Sequence, residues 1–286
     1  MQAIRNILVV MTPNQPEGLA LKRAKLIAGV THSRLHLLVC DKRGEYAQFL
    51  ADAAESLQND GYDVTTQQAW FETFHETIIQ VQQAENCGLV IKQHFPENPL
   101  KRALLTPDDW KLLRYCPCPV LIAKTNRPWT GGTILAAVDV GNSSAEHRSL
   151  HASIINNAHE VAAIAKGTLH VFTAHPTPML SAADPTFQLR ETIEARYREQ
   201  CHSFVKEFEI DEQHMHIKEG PADILIPNMA SELDAVVTVI GTVARTGLSG
   251  ALIGNTAEAV LDAVETDVLV LKPHDVMVHL ETQLQR

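Results

Sequence analysis

Short apolar runs recur along the chain, and longer amphipathic stretches separate them. Each run is continuous and rich in Val, Ile and Leu, which is typical of a strand buried on both faces of a parallel sheet. In the stretches between the runs, apolar residues fall at spacings of three and four, which predicts helices. The clearest of these predicted helices cover residues 18–29, 46–58, 146–165 and 192–208.

The order of these runs repeats within the chain. Four runs of the first half return in the second, and a weaker strand is matched in the same way. The matched segments are 6–11 with 133–138, 35–41 with 169–175, 62–67 with 214–219, 87–93 with 235–241, and 119–124 with 267–272. A repeat of well over 100 residues indicates a duplicated domain rather than a solenoid. Residues 125–132, rich in Pro and Gly, separate the copies, which predicts domains at 1–126 and 133–286.

Each copy alternates five strands with about four helices. This order predicts an α/β fold, a doubly wound parallel sheet with helices on both faces, because parallel neighbours need crossover connections. Ligands of such sheets bind beyond the carboxyl ends of the strands, at the point where the strand order reverses.

A glycine cluster follows the fourth strand of the second copy. Four of the fourteen glycines lie within residues 241–254, and a predicted helix follows. Backbone N–H groups of such a loop, with the helix N-terminus, can hold a phosphate, and Arg245 is its natural partner. Asp139 ends the first strand of this copy and faces the same crevice if the first and fourth strands are neighbours. The alternative is a plain connection that ends in a capping box of Asn255 and Glu258.

Charge is divided unequally between the copies. The 286 residues carry a net charge of −10: residues 1–132 hold 14 basic and 13 acidic residues, and residues 133–286 hold 10 and 21. An acidic chain without a basic run is a poor candidate for nucleic-acid binding. No apolar run is long enough to span a membrane, and the N-terminus lacks a signal-peptide pattern. Five scattered cysteines favour a reducing cytoplasm.

Other candidate chemistry is weaker. His147 and His151 lie four apart on a predicted helix, and His214 and His216 share a strand face, so either pair could bind a transition metal, but spacing names no third ligand. We therefore predict no metal site. Cys116-Pro-Cys118 lacks Cys-x-x-Cys spacing and is interpreted as the lead-in to a buried strand. Residues 176–187 form either a lid or a surface loop. No nucleophile–base pair is present, so catalysis beyond slow, incidental ATP hydrolysis is not predicted.

The repeat, the strand order and the segment GTVARTGLSGALIGNTAEAVLDAVETDVLVLKP resemble the universal stress protein family in its tandem two-domain form. The resemblance covers nearly the whole chain and implies two adenine nucleotide alpha hydrolase-like domains packed as a pseudo-dimer through their final strands. Nucleotide-binding members carry Gly-x2-Gly-x9-Gly-Ser/Thr after the fourth strand and an Asp after the first. The resemblance implies a nucleotide site at Asp139, Ala174, Ile240, Gly241, Ala244, Arg245, Gly254, Asn255 and Thr256.

Two motif positions depart from the family pattern, since Ala244 replaces the second glycine and Asn255 replaces the Ser/Thr. The first copy has lost the motif altogether. Thr12 stands at the position of Asp139, and Gln93, Pro96, Thr106 and Pro107 stand at those of Gly241, Ala244, Gly254 and Asn255. The first copy is therefore predicted not to bind nucleotide.

The resemblance implies a cytoplasmic stress-response protein that acts as a nucleotide-responsive binding or signalling module. ATP, with Mg²⁺, is expected in the second copy only, and we expect that two chains can associate further. Two alternatives stay open. One is a binding protein for a nucleotide-sugar or an amphipathic metabolite, and the other is a scaffold that acts through protein contacts alone.

Overall fold

A computed structural model describes residues 4–13, 15–95, 105–142, 144–176, 190–242 and 254–284. In this part of the chain all strands belong to one ten-stranded sheet, in the order β3-β2-β1-β4-β5-β10-β9-β6-β7-β8. The strands are β1 Asn6–Val10, β2 Arg34–Cys40, β3 Val64–Ala69, β4 Leu89–Gln93, β5 Val120–Ala123, β6 Thr133–Ala137, β7 Thr168–His175, β8 Met215–Glu219, β9 Ala235–Gly241 and β10 Asp267–Leu271.

Helices connect the strands on both faces of the sheet. They are α1 Leu19–Thr31, α2 Ala47–Asn59, α3 Phe74–Ala84, α4 Pro107–Tyr115, α5 Ala145–Ala165, α6 Arg190–Glu207, α7 Ala222–Glu232, α8 Asn255–Ala263 and α9 His274–Leu284. Helices α1, α2, α5 and α6 bury one apolar cluster against the sheet, and α3, α4, α7 and α8 bury a second cluster on the opposite face. The predicted doubly wound α/β class is thereby confirmed.

The two halves join through their last strands. β5 and β10 pair antiparallel, with Leu121 opposite Leu269, while every other strand pair in the sheet is parallel. This pairing confirms the expected pseudo-dimer and covers two apolar edges that would otherwise invite association. Because the sheet runs through both halves without a break, the division at residues 125–132 stays a prediction.

Every predicted strand end lies within two residues of the observed one. The largest shifts are in 62–67, observed as Val64–Ala69, and in 87–93, observed as Leu89–Gln93, while residue 214 belongs to a short 3-10 turn at Glu212–His214. Helix α9, which follows Pro273, was not expected from the strand-and-helix alternation. The proposed lid at residues 176–187 lies almost wholly outside the described residues.

Candidate functional site

Strands β6 and β9 are neighbours, so the condition for a shared crevice is met. Ala137 pairs with Ile240, and these residues are followed by Asp139 and Gly241 at the carboxyl ends of the two strands. Asp139 is exposed, and its Oδ1 accepts a hydrogen bond of 3.1 Å from Gly141 N–H. The strand order reverses between β6 and β9, which is where ligands of such sheets bind.

Tyr197 of α6 forms a wall of this crevice. Its hydroxyl lies so close to Gly141 that a Cβ at that position would collide with it, and its ring centroid is 5.5 Å from that of His175. Burial and the charge of Asp139 raise the pKa of Tyr197, so the phenol stays protonated and can donate a hydrogen bond. A side chain at position 141 would therefore displace Tyr197 from this wall.

Gly241 is required by packing. A Cβ there would lie 2.6 Å from Leu150 Cδ2 and 2.9 Å from Ile154 Cδ1, both on α5. The first motif glycine thus lets α5 pack tightly on the end of β9, and this packing role does not depend on a ligand. Ile240 is buried in the core, so only its backbone is available, and Ala174 is partly buried beside Lys218 of β8.

The N-terminus of α8 carries no side-chain cap among the described residues. Its N-cap is Gly254 and Asn255 is the first helical residue, so the alternative interpretation, a capping box that begins at Asn255, is wrong. Thr256 is exposed in the first turn. The unpaired N–H groups of such a turn can donate hydrogen bonds to a bound anion. Ala244, Arg245 and the side chain of Asn255 lie outside the described residues.

In the first half, the chain's own side chains fill the corresponding crevice. Gln93, at the position of Gly241, turns its Oε1 to the start of α1 and accepts a hydrogen bond of 2.8 Å from Leu19 N–H. This oxygen satisfies a backbone donor at the N-terminus of α1.

A buried carboxylate lies at the N-terminus of α4, the helix of the first half that corresponds to α8. Asp109 lies in the first turn of α4 and forms a full capping box with Thr106: the Thr106 N–H donates to Asp109 Oδ2 at 3.0 Å, and the Asp109 N–H donates to Thr106 Oγ1 at 3.2 Å. Lys92 Nζ is 2.6 Å from Asp109 Oδ1, and His94 Nδ1 is 2.9 Å from Oδ2. Burial alone would raise the pKa of Asp109, but these hydrogen bonds and the charge of Lys92 outweigh it and hold that pKa well below its usual range.

The first half therefore carries its own anion at the helix N-terminus. By the repeat, Asp109 corresponds to Ala257, Thr106 to Gly254, and Lys92 to Ile240, so the second half lacks every part of this arrangement. The loss of glycines predicted a degenerate site, but the sequence did not show that Asp109 occupies it. The Thr-Pro-Asp-Asp pattern at 106–109 was an available signal, since it is typical of a capped helix start. Tyr197 carried no comparable signal.

Neither histidine pair, 147/151 or 214/216, has a third metal ligand in the described part of the chain, where no three His, Cys, Asp or Glu side chains are placed to hold an ion. His147 contacts Ser144 Oγ and Asn142, and His216 Nε2 lies 2.8 Å from His170 Nδ1. Among the described helices, none is long and apolar enough to cross a membrane.

Comparison with known proteins gives a consistent result. The model of the universal stress protein family matches residues 41–124 and 132–272. Universal stress protein E of Escherichia coli K12 is 31% identical, with 96% of this chain and 95% of the relative covered. A Pseudomonas aeruginosa PAO1 protein described as functionally unknown is 65% identical with a TM-score of 0.92, covering 99% of this chain and 98% of that one. An Archaeoglobus fulgidus universal stress protein shares the fold, with a TM-score of 0.60 at 17% identity, over 94% and 99% of the two chains.

Proposed function

This chain belongs to the universal stress protein family, and from that premise we propose that its second half binds an adenine nucleotide and its first half does not. The nucleotide is ATP or a close relative, and its binding changes what the protein contacts. We place the protein in the cytoplasm, where its five free cysteines would stay reduced.

The contrast between two equivalent helix starts carries this proposal. At α4 the N-cap is Thr106 and a buried carboxylate already sits on the first turn, whereas at α8 the N-cap is Gly254 and the residue at the position of Asp109 is buried Ala257. Glycine at the N-cap leaves backbone donors open to a phosphate, because it brings no side-chain acceptor of its own. The duplication thus retains one open anion position and one closed by the chain itself.

The remaining residues of the second crevice supply complementary groups. Asp139 is an exposed carboxylate suited to a ribose hydroxyl or to Mg²⁺, which prefers oxygen ligands and accompanies nucleotide phosphates. The Tyr197 ring provides a flat apolar wall for a base, and its hydroxyl provides a polar edge. The net charge of −11 on residues 133–286 opposes an anionic ligand, so we expect affinity to depend on Mg²⁺.

Native mass spectrometry of freshly purified protein, followed by calorimetric ATP titration with and without Mg²⁺, tests the proposal. One ATP per chain supports it. A bound molecule of different mass would instead support the metabolite-binding alternative, and an empty chain without ATP affinity would support a scaffold.

Two variants test whether the nucleotide site lies in the second half. Gly254 has an extended backbone that any residue can adopt, so Gly254→Leu should fold and should lose ATP binding. Asp139→Asn should weaken Mg²⁺-dependent binding, while Thr12→Ala, at the equivalent position of the first half, should leave it unchanged. Equal ATP affinity in Gly254→Leu and the parent protein would remove the α8 N-terminus from the site.

A further inference from the structure

Two buried thiols face each other where α4 ends and β5 begins. Cys116 is the C-cap of α4, and its Sγ lies 3.6 Å from the Sγ of Cys118. Cys116 is fully buried and Cys118 is 7% exposed. The spacing of Cys116-Pro-Cys118 favoured an inert lead-in to a strand, and the structure confirms that β5 follows directly. It also places an ionisable group beside the thiols, and the sequence alone did not predict this contact.

That group is Lys272, which follows β10 in the other half of the chain. Its Nζ donates a hydrogen bond of 2.8 Å to the Cys116 carbonyl oxygen, and the side chain is buried. Among the described residues no carboxylate forms an ion pair with Lys272. Burial lowers the pKa of Lys272, and the ionisable groups whose charge opposes this shift are Cys116 and Cys118. A buried ammonium without a carboxylate is costly, and a thiolate would compensate it.

The duplication supplies an internal comparison. Lys124 occupies the position of Lys272 and caps the opposite helix, donating to the carbonyl oxygens of Leu261 and Val264 of α8 and its C-cap. Burial lowers the pKa of Lys124 to about 8, against the opposing charges of carboxylates that include Asp262. The residues that match Cys116 and Cys118 are Val264 and Thr266. Carboxylates therefore surround Lys124, whereas the two thiols take their place around the equivalent Lys272.

Charge and hydrogen bonding shift the pKa values of the two thiols in opposite directions. Burial disfavours a thiolate at Cys116, but the Cys118 S–H and the charge of Lys272 outweigh it and lower the pKa of Cys116 below its usual value. Burial and the hydrogen bond to Cys116 raise the pKa of Cys118 well above its usual value. Nearby Cys87 stays protonated, since burial raises its pKa to about 12.

We propose that Cys116 and Cys118 form a redox-active dithiol, which hydrogen peroxide converts to an intrachain disulfide, with Lys272 favouring the attacking thiolate. The Cys116 thiolate attacks one peroxide oxygen and the O–O bond breaks, giving a sulfenic acid and a hydroxide that takes a proton to become water. The Cys118 sulfur then attacks the sulfenic sulfur and loses its proton, and the departing hydroxide leaves as a second water. Two thiols are oxidised and one peroxide is reduced.

The disulfide would alter the junction between the halves. A disulfide cannot ionise, so oxidation removes the group whose negative charge can compensate Lys272 beside the end of β10. We therefore expect a lower Tm in the oxidised protein than in the reduced protein, and we expect this difference to vanish in Lys272→Met, whose side chain needs no counter-charge.

Trypsin offers a direct readout, because cleavage after Arg114 and Lys124 yields a peptide, residues 115–124, that holds these two cysteines and no other. The folded, reduced full-length chain is exposed to hydrogen peroxide, blocked with iodoacetamide, and digested for mass spectrometry. The expected peptide is unalkylated and lighter by two hydrogens. Cys118→Ser should stop at a sulfenic acid on Cys116 that dimedone traps, while Cys87→Ser should oxidise as the parent does.

Lys272→Met tests the role of the lysine, and Lys124→Met is the matched control. In Lys124→Met the tryptic peptide to be followed is 115–148, because the site at residue 124 is lost and Arg127 precedes a proline, and this peptide still holds only Cys116 and Cys118. We expect Lys272→Met to slow disulfide formation at least about tenfold, because loss of the lysine charge lowers the thiolate population of Cys116, and Lys124→Met to leave the rate unchanged. An alkylated, unoxidised 115–124 peptide after peroxide, or equal rates in both variants and the parent, would overturn the proposal. If Lys272→Met fails to fold, the pH dependence of Cys116 alkylation in the parent and in Cys118→Ser decides: a midpoint at or above that of an ordinary thiol in both refutes it.

Discussion

The carboxylate of Asp267 lies 2.6 Å from Nε of Arg23, a buried ion pair that joins the two halves of the chain. The same carboxylate accepts hydrogen bonds from Trp129 Nε1 at 2.8 Å and from the backbone N–H groups of Lys124 and Thr125. Arg23 in turn donates to carbonyl oxygens of residues 125 and 127, and its guanidinium lies over the Trp129 ring. One carboxylate thus fixes α1, the linker and β10 to one another.

Replacing this carboxylate should weaken the whole fold. Asp267→Asn keeps the shape but leaves the Arg23 charge buried without a partner, and we expect a loss of about 3–5 kcal/mol in the free energy of unfolding. Urea unfolding followed by circular dichroism measures it. Asp63→Asn is the matched control, because Asp63 also pairs with an arginine Nε, that of Arg34, at 2.8 Å but in solvent. Similar midpoints for the two variants would contradict a special role for Asp267.

Asp109 should make part of the stability sensitive to acid. Its pKa in the folded state is held well below the value of about 3.9 for an unfolded chain. The stabilisation is therefore complete above that ordinary pKa and is lost as the pH falls below it towards the folded pKa. Asp109→Asn should be less stable than the parent at pH 7 and should lose less stability between about pH 4 and pH 2.

Thermal unfolding as a function of pH measures this difference. Asp108→Asn serves as the control, since Asp108 is exposed on the same turn of α4. The control should keep the acid slope of the parent protein. A parent-like slope in Asp109→Asn as well would show that Asp109 does not stabilise the fold through its charge.

Sequence patterns predicted the doubly wound class and the succession of strands along the chain, because both depend on apolar runs in a fixed order. The pairing of β5 with β10 followed from the family resemblance alone. The patterns could not predict contacts set by the relative placement of the halves. Arg23 and Asp267 are 244 positions apart, and nothing local in either segment indicates their pairing. The same holds for Lys272 beside Cys116. At the candidate site, Asp139 and Gly254 follow from the motif, whereas Tyr197 reaches the crevice only through the packing of α6.

Moving the carboxylate of the first half to the second should close the nucleotide site. Ala257→Asp places an acid at the position of Asp109, in the first turn of α8, where an aspartate is compatible with the helix dipole. A carboxylate there would compete with a ligand phosphate for the same backbone donors and would repel it. We expect ATP affinity to fall at least about tenfold, which corresponds to about 1.4 kcal/mol.

Ala257→Asn separates charge from size in this experiment, since the two side chains are nearly isosteric. It should retain more affinity than Ala257→Asp, and both should be compared by calorimetry at matched Mg²⁺ after their Tm values are recorded. Equal losses of affinity would show that bulk in the buried position, rather than a competing negative charge, accounts for the effect.

Gly241 should behave differently from Gly254, although both are motif glycines. A methyl group at Gly241 would lie within 2.6–2.9 Å of Leu150 and Ile154, so Gly241→Ala should cost about 1–3 kcal/mol of stability through overpacking, with or without nucleotide. Gly29→Ala, in α1, meets its nearest neighbour at an ordinary 3.6 Å and should be neutral or stabilising. Urea midpoints of the two ligand-free variants measure the contrast. Unchanged stability in Gly241→Ala would mean that α5 yields easily, and only then would a loss of ATP binding in that variant indicate a direct contact between this glycine and the ligand.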